Sequence, residues 1–271
     1  MRANRTSKLI VILCTCFGFV THLATAQTSV EHLSVSSGRP VADAVRSLEQ
    51  KYGFVITYED PQYVHPADLK DITPRWYVPA NHPQNRQRIL APRGGSLNFS
   101  YQVKGGKPLE NTSDLLTRLV NSYGVGRNAE FSVHKATVLG VTEWHIIPAR
   151  ALGQGGQLVN VSPILDTSIS IPNEKRTGLD MIGTVCKELT RITHQRIALG
   201  VVPLNPLYAY NAVQGADNQP ARDVLADTLA RIRPGLSWQL FYDPSGFYML
   251  NIHWAEDSIH SSASKPGVAN R

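Results

Sequence analysis

Cysteine is nearly absent from the body of this chain. There are three in 271 residues; Cys14 and Cys16 stand near the start, and Cys186 is alone after them. A chain shortened after Ala26 can therefore form no internal disulfide, whatever its compartment. A zinc site built on paired cysteines is excluded as well. The histidines are scattered and include no His-Glu-x-x-His pair, so nothing reads as a metal site. Charge of one sign is also lacking. Of 27 basic residues, Arg2, Arg5 and Lys8 precede residue 27 together with no acid, which leaves 24 basic against 21 acidic. That balance is no nucleic-acid footprint. No apolar run beyond residue 20 is long enough to cross a bilayer.

The first apolar run, Leu9–Val20, follows the basic start and precedes Ala24-Thr25-Ala26. Basic start, short apolar core and small-residue site are the marks of a secretory signal peptide cleaved near Ala26-Gln27. The expected location is periplasmic or secreted, with no transmembrane segment after cleavage.

The stretch from Asn218 to His253 carries the clearest pattern. Val224, Leu225, Thr228, Leu229 and Ile232 share one helical stripe. Pro220 suits the first turn and Asn218 or Gln219 the cap. Pro234-Gly235 stops the helix. Leu236, Trp238, Leu240 and Tyr242 then alternate with other residues as a strand, Asp243-Pro-Ser-Gly246 turns, and a second strand follows. Upstream the same punctuation recurs. A strand at 33–35, a helix at 40–52 ended by Gly53, and a strand at 54–58 open the chain. A strand at 97–103, a helix capped by Thr112 or Ser113, and a hairpin over 129–147 follow. Then come a strand at 165–171, a helix to about 193, and strands at 195–202 and 207–213.

The two halves, 32–148 and 164–254, thus read in the same order, and the pattern predicts a duplication. The expected domains are 27–150, with an insertion at 60–95, and 164–254. A Gly- and Gln-rich linker at 151–163 separates them, and a polar tail runs over 255–271.

The order strand-helix-strand-strand-helix-strand-strand resembles the secretin and TonB amino-terminal domain. The resemblance rests on Ile169-Ser-Ile-Pro172, on Ala221-Arg-Asp-Val-Leu225, and on Leu236-Ser-Trp-Gln-Leu240 with Tyr248-Met-Leu250. In the first half it rests on Pro40-Val-Ala-Asp-Ala-Val45 and Phe54-Val-Ile-Thr-Tyr58. No barrel or secretin ring follows either copy within this sequence. The resemblance implies an α+β fold of two similar βαββαββ domains, each with small sheets packed against two helices. It also implies docking onto partner proteins rather than chemistry.

Catalytic patterns are correspondingly thin. Gly105-Gly-Lys107 lacks most of a phosphate loop. Ser132 and Lys135 are three apart in a predicted strand and so point to opposite faces. No cofactor is expected. The insertion holds Arg75, Trp76, Tyr77, Arg86 and Arg88, residue types enriched at binding hot spots. They either form a partner surface or strap the loop over a core. A second candidate surface is an open sheet edge. The expected function is a non-enzymatic protein–protein interaction module, an adaptor or sensor of the bacterial cell envelope whose partner is an envelope protein. The alternative is a periplasmic binding protein for a glycan or small molecule, using the aromatic and arginine insertion.

Overall fold

The computed structural model describes residues 27–74, 88–124 and 128–255. The expected signal peptide, the middle of the insertion and the tail beyond Ala255 lie outside these. Elements in the first half are β1 (Thr28–Ser37), α1 (Pro40–Tyr52), β2 (Val55–Glu59), β3 (Leu69–Asp71), β4 (Leu90–Pro92), β5 (Gly95–Lys104), β6 (Lys107–Pro108), α2 (Thr112–Gly124), β7 (Ala129–Val138) and β8 (Val141–Leu152). After β9 (Leu158–Asn160) come β10 (Ser168–Thr177), α3 (Gly178–Thr193), β11 (Arg196–Leu199), α4 (Leu204–Ala209), β12 (Asn211–Pro220), α5 (Ala221–Ile232), β13 (Leu236–Asp243) and β14 (Phe247–Trp254). The fold is α+β, with small sheets packed against helices.

Local chemistry accounts for most boundaries. In α1, Val41, Ala44, Val45 and Leu48 are buried as the stripe requires. Gly53 ends the helix at φ 68°, a left-handed turn that a glycine takes without strain, and its N–H bonds Glu49 O at 2.8 Å. α3 starts on a capping box: Thr177 Oγ1 accepts from the Asp180 N–H, and the Asp180 carboxylate accepts from the Thr177 N–H. Cys186 sits in that helix among buried Met181, Val185 and Leu189, and burial pushes its thiol up to about 12.

Three local expectations change. The cap of α2 is Asn111, whose Oδ1 accepts from the Asp114 N–H at 2.9 Å. The expected strand at 207–213 is instead the short helix α4, followed by β12. Its Leu207 is buried beside α3, which holds that turn against the core. β12 also runs through Asn218 to Pro220, so neither Asn218 nor Gln219 caps α5.

Pairing repeats between the halves. β1 pairs antiparallel with β5, as β10 does with β12. β2 lies parallel to β8, which turns antiparallel onto β7. In the same way β11 lies parallel to β14, which pairs antiparallel with β13. β13 then joins β2 in parallel, giving one sheet in the order β11-β14-β13-β2-β8-β7, with β9 added on β8. The left-to-right order is the same in both triplets while strand directions are reversed. Only a half-turn that swaps the sheet's two faces relates them, so each half covers a different face.

Side chains confirm that geometry. On β13, Trp238 and Leu240 enter the core with α3 and α5, whereas Phe241 packs on the core with α1 and α2. On β2, Ile56 and Tyr58 enter the first core, and the carboxylate of Glu59 reaches Arg222 of α5. All five residues of β2 are buried, as expected for a strand covered on both faces.

A candidate partner-binding edge and its aromatic cleft

The insertion was the first surface indicated by the sequence. Its stem is described: Pro66–Asp68 forms a short 3-10 turn, and β3 pairs antiparallel with β4. Arg88 stands at the open end of that stem, its side chain 76% exposed, 3.8 Å from the Asp71 carboxylate. Arg75, Trp76, Tyr77 and Arg86 lie outside the described residues, so only Arg88 of the five has a place in the geometry.

The second surface, a sheet edge, is well defined. β7 closes one end of the seven-stranded sheet, and among the described residues no strand pairs with its outer side. It is ten residues long. A one-residue register shift at Glu130/Phe131, where β8 carries the extra residue Ala149, marks one end of it. Beyond that shift, Ser132 through Val138 runs in regular register with β8. Unpaired N–H and C=O groups along such an edge form a template for another strand. Proteins commonly guard such edges with lysine, and Lys135 occupies the middle of this one, exposed.

The face of β7 toward α1 and α2 borders a cleft. Lys135 stands opposite Trp144 of β8, and Trp144 stands opposite Ile56 of β2. Phe54, just before β2, packs on Trp144 with ring centroids 5.8 Å apart, and Tyr52 stacks on Phe54 at 5.4 Å. These rings floor a half-open cleft of about 610 Å³ walled by residues 106–113. Phe54 and Trp144 also line an adjoining cleft of about 590 Å³ that ends at Trp254. There the Arg233 guanidinium lies 4.8 Å above the Trp254 ring. Tyr52, Phe54, Trp144 and Trp254 are each only half-buried.

Charge in the first cleft is mostly positive. Lys51 pairs with Glu31 at 2.9 Å, and Glu110 is held by Arg118 at 2.7 Å. Lys107 and Lys135 are exposed, and no carboxylate lies within ion-pairing distance of either among the described residues. Trp144 Nε1 is buried with no hydrogen-bond partner. The nearby acid on β8, Glu143, is one residue out of phase and lies on the opposite face of the sheet, buried.

The cleft is not legible in the sequence because its lining comes from four separated segments. The one local signal was Tyr52-Gly53-Phe54, two aromatics flanking a helix stop. Trp144 looked like an ordinary hairpin residue.

Catalytic groups do not converge here. Ser132 has Nε2 of His134 at 3.1 Å, but its side chain and that of Lys135 fall on opposite faces. No group of histidines, cysteines or acids able to hold a metal occurs among the described residues. No helix among them is long and apolar enough to cross a membrane. No family model matches the chain, and no curated protein or solved structure matches it either.

Proposed function

We propose that this chain is an exported protein–protein interaction module of a bacterial cell envelope, an adaptor or sensor that holds an extended segment of its partner. The observation that carries the reading is the β7 edge, ten residues of strand with one side unpaired among the described residues. Strand addition supplies affinity through main-chain hydrogen bonds, and pockets for alternate side chains supply specificity. The leader sequence before Gln27 supports export.

The test is capture followed by footprinting. The tagged protein is cross-linked in envelope extract of its native host, and a reproducible partner is then purified and bound to the unmodified protein. Amide exchange over 129–138 slows with the partner bound, while the exchange of β1 and β11 is unchanged. Recovery of no specific protein, together with saturable tryptophan quenching by soluble sugars or metabolites, would replace this reading with a glycan or small-molecule binding protein. Capture lost in a Trp76→Ala/Tyr77→Ala variant with no protection of β7 would move the site to the insertion.

A further inference from the structure

Independently of the β7 edge, we infer that the two adjoining clefts form one groove for an acidic oligosaccharide, a short chain of uronic acid rings. Phe54 and Trp144 line both clefts, so a single aromatic floor runs from Tyr52 in the first to Trp254 in the second. At about 610 and 590 Å³, each cleft is the size of a small-molecule site, and the pair is larger than one ring can fill. The four rings are half-exposed, so a ligand that covers them removes apolar surface from water.

The ligand class follows from the shape and charge of the lining. The C–H face of a pyranose ring is flat and apolar and lies well on an aromatic ring, whereas its rim presents hydroxyls. Thr112 and Ser113 in the wall of the first cleft carry hydroxyls that can exchange hydrogen bonds with such a rim. Cations line both clefts. Lys107 and Lys135 line the first, and among the described residues no carboxylate is within ion-pairing distance of either. Arg233 lines the second, its guanidinium over the Trp254 ring. The one acid in either lining among the described residues, Glu110, is held by Arg118 at 2.7 Å. Aromatic faces between separated cations match a ligand in which rings and carboxylates both repeat along a chain. A single aromatic acid would fill one cleft and leave the cation of the other unmet. An oligonucleotide also repeats rings and charges. Here, however, Tyr52, Phe54 and Trp144 pack on one another at 5.4 and 5.8 Å and leave no slot between rings for a base.

The experiment is titration calorimetry of the full chain with tetragalacturonate at low salt. Binding is saturable and weakens as salt rises. Lys107→Glu/Lys135→Glu weakens it about tenfold, the scale of one charge-assisted contact, and Arg233→Glu does the same. Lys175→Glu/Lys187→Glu makes the same change of charge outside both linings and leaves the affinity as it was. All five positions are exposed, so circular dichroism of every variant is unchanged. Maltotetraose has the rings without the carboxylates, and tetraglutamate the carboxylates without the rings; each binds about tenfold more weakly than tetragalacturonate. Equal affinity for either of these overturns the inference, as does an absence of tetragalacturonate binding. An equal loss in Lys175→Glu/Lys187→Glu would mean attraction to charge anywhere on the surface and overturns it too. Tighter binding of a thymidine tetranucleotide would replace the sugar with a nucleic acid. Affinity untouched by Arg233→Glu would overturn the groove across both clefts. The strand-addition reading fails separately: it falls if a captured partner leaves exchange over 129–138 unchanged, whatever the groove binds.

Discussion

Two buried side chains on one face of β8, two positions apart, pull the stability of this protein in opposite senses as pH changes. Glu143 is 3% exposed, and burial alone raises its carboxyl from 4.5 to about 7. His145 is 4% exposed, and burial, helped by the charges of Arg222 and His134, lowers its imidazole from 6.5 to about 4. Thr57 Oγ1 lies 2.7 Å from His145 Nδ1. The two groups act in opposite senses. Folded Glu143 keeps a proton that the unfolded chain releases, so its stabilising contribution is present below 4.5 and lost as pH rises toward 7. Folded His145 refuses a proton that the unfolded chain accepts, so its contribution is present above 6.5 and lost as pH falls toward 4. Each shift corresponds to about 3 kcal/mol. Between pH 4.5 and 6.5 these two contributions oppose each other, while burial also raises the carboxyls of Glu59, Asp60 and Asp68 and adds a fall with rising pH. Relative to the natural protein, Glu143→Gln therefore tilts the urea midpoints upward from pH 4.5 to 6.5, and His145→Gln tilts them downward. A profile of unchanged slope in either variant would sink the account. Neither residue was legible as titrating, because a strand position shows its burial only once the covering face is known.

At the scale of elements, punctuation was legible and partnership was not. The stripe of Val41, Ala44, Val45 and Leu48 between Pro40 and Gly53 defines α1 from sequence alone, and α5 follows in the same way from Val224, Leu225 and Leu229. The three-residue strands β3 and β4 have no period to detect, and Pro92 argues against a strand, so the insertion stem read as structureless. Leu207 and Tyr208 fit a strand or a helical turn equally, and contact with α3 decides for the turn. Joints between elements are the least visible. Gly94, at φ 60°, lies where a Cβ would come within 2.0 Å of Ser37 O at the end of β1. Gly94→Ala therefore combines left-handed strain with overlap against backbone, about 2–4 kcal/mol together. Thermal unfolding should show that loss in full, while Gly140→Ala, also at positive φ but with nothing within 4 Å, loses only the strain. Equal losses at the two positions would mean that β1 moves to accept the methyl group. The cap of α2 offers a smaller check: Asn111→Ala should cost about 1 kcal/mol in urea unfolding.

For the whole molecule, the question is whether the two halves unfold together. Their cores are distinct, yet β2 and β13 belong to both. Gln239 of β13 donates to Ala42 O in α1, and Ser237 donates to Ile56 O. Arg39 Nε donates to Asp60 Oδ2 at 2.6 Å while its Nη2 donates to Tyr242 O. Arg222 Nη2 donates to Glu59 Oε2 at 2.6 Å, and its Nε donates to Asp166 Oδ1 at 2.9 Å. Melting the first half would strip one face from β13, and melting the second would strip one face from β2 and leave Glu59, fully buried in the fold, without the Arg222 guanidinium. Uncompensated charges and exposed sheet cost several kcal/mol, a large share of the stability of a domain this size. Calorimetry should therefore show one transition, with calorimetric and van't Hoff enthalpies in agreement. Arg222→Met strands Glu59 and should lower that single transition by about 3–5 kcal/mol without splitting it. Adding Glu59→Gln removes the orphan charge, keeps an acceptor for the Ile164 N–H, and should recover most of the loss. Two resolved transitions in the natural protein, or a split one in Arg222→Met, would mean that the halves are held by adjacency alone and that the shared strands are not the source of cooperativity.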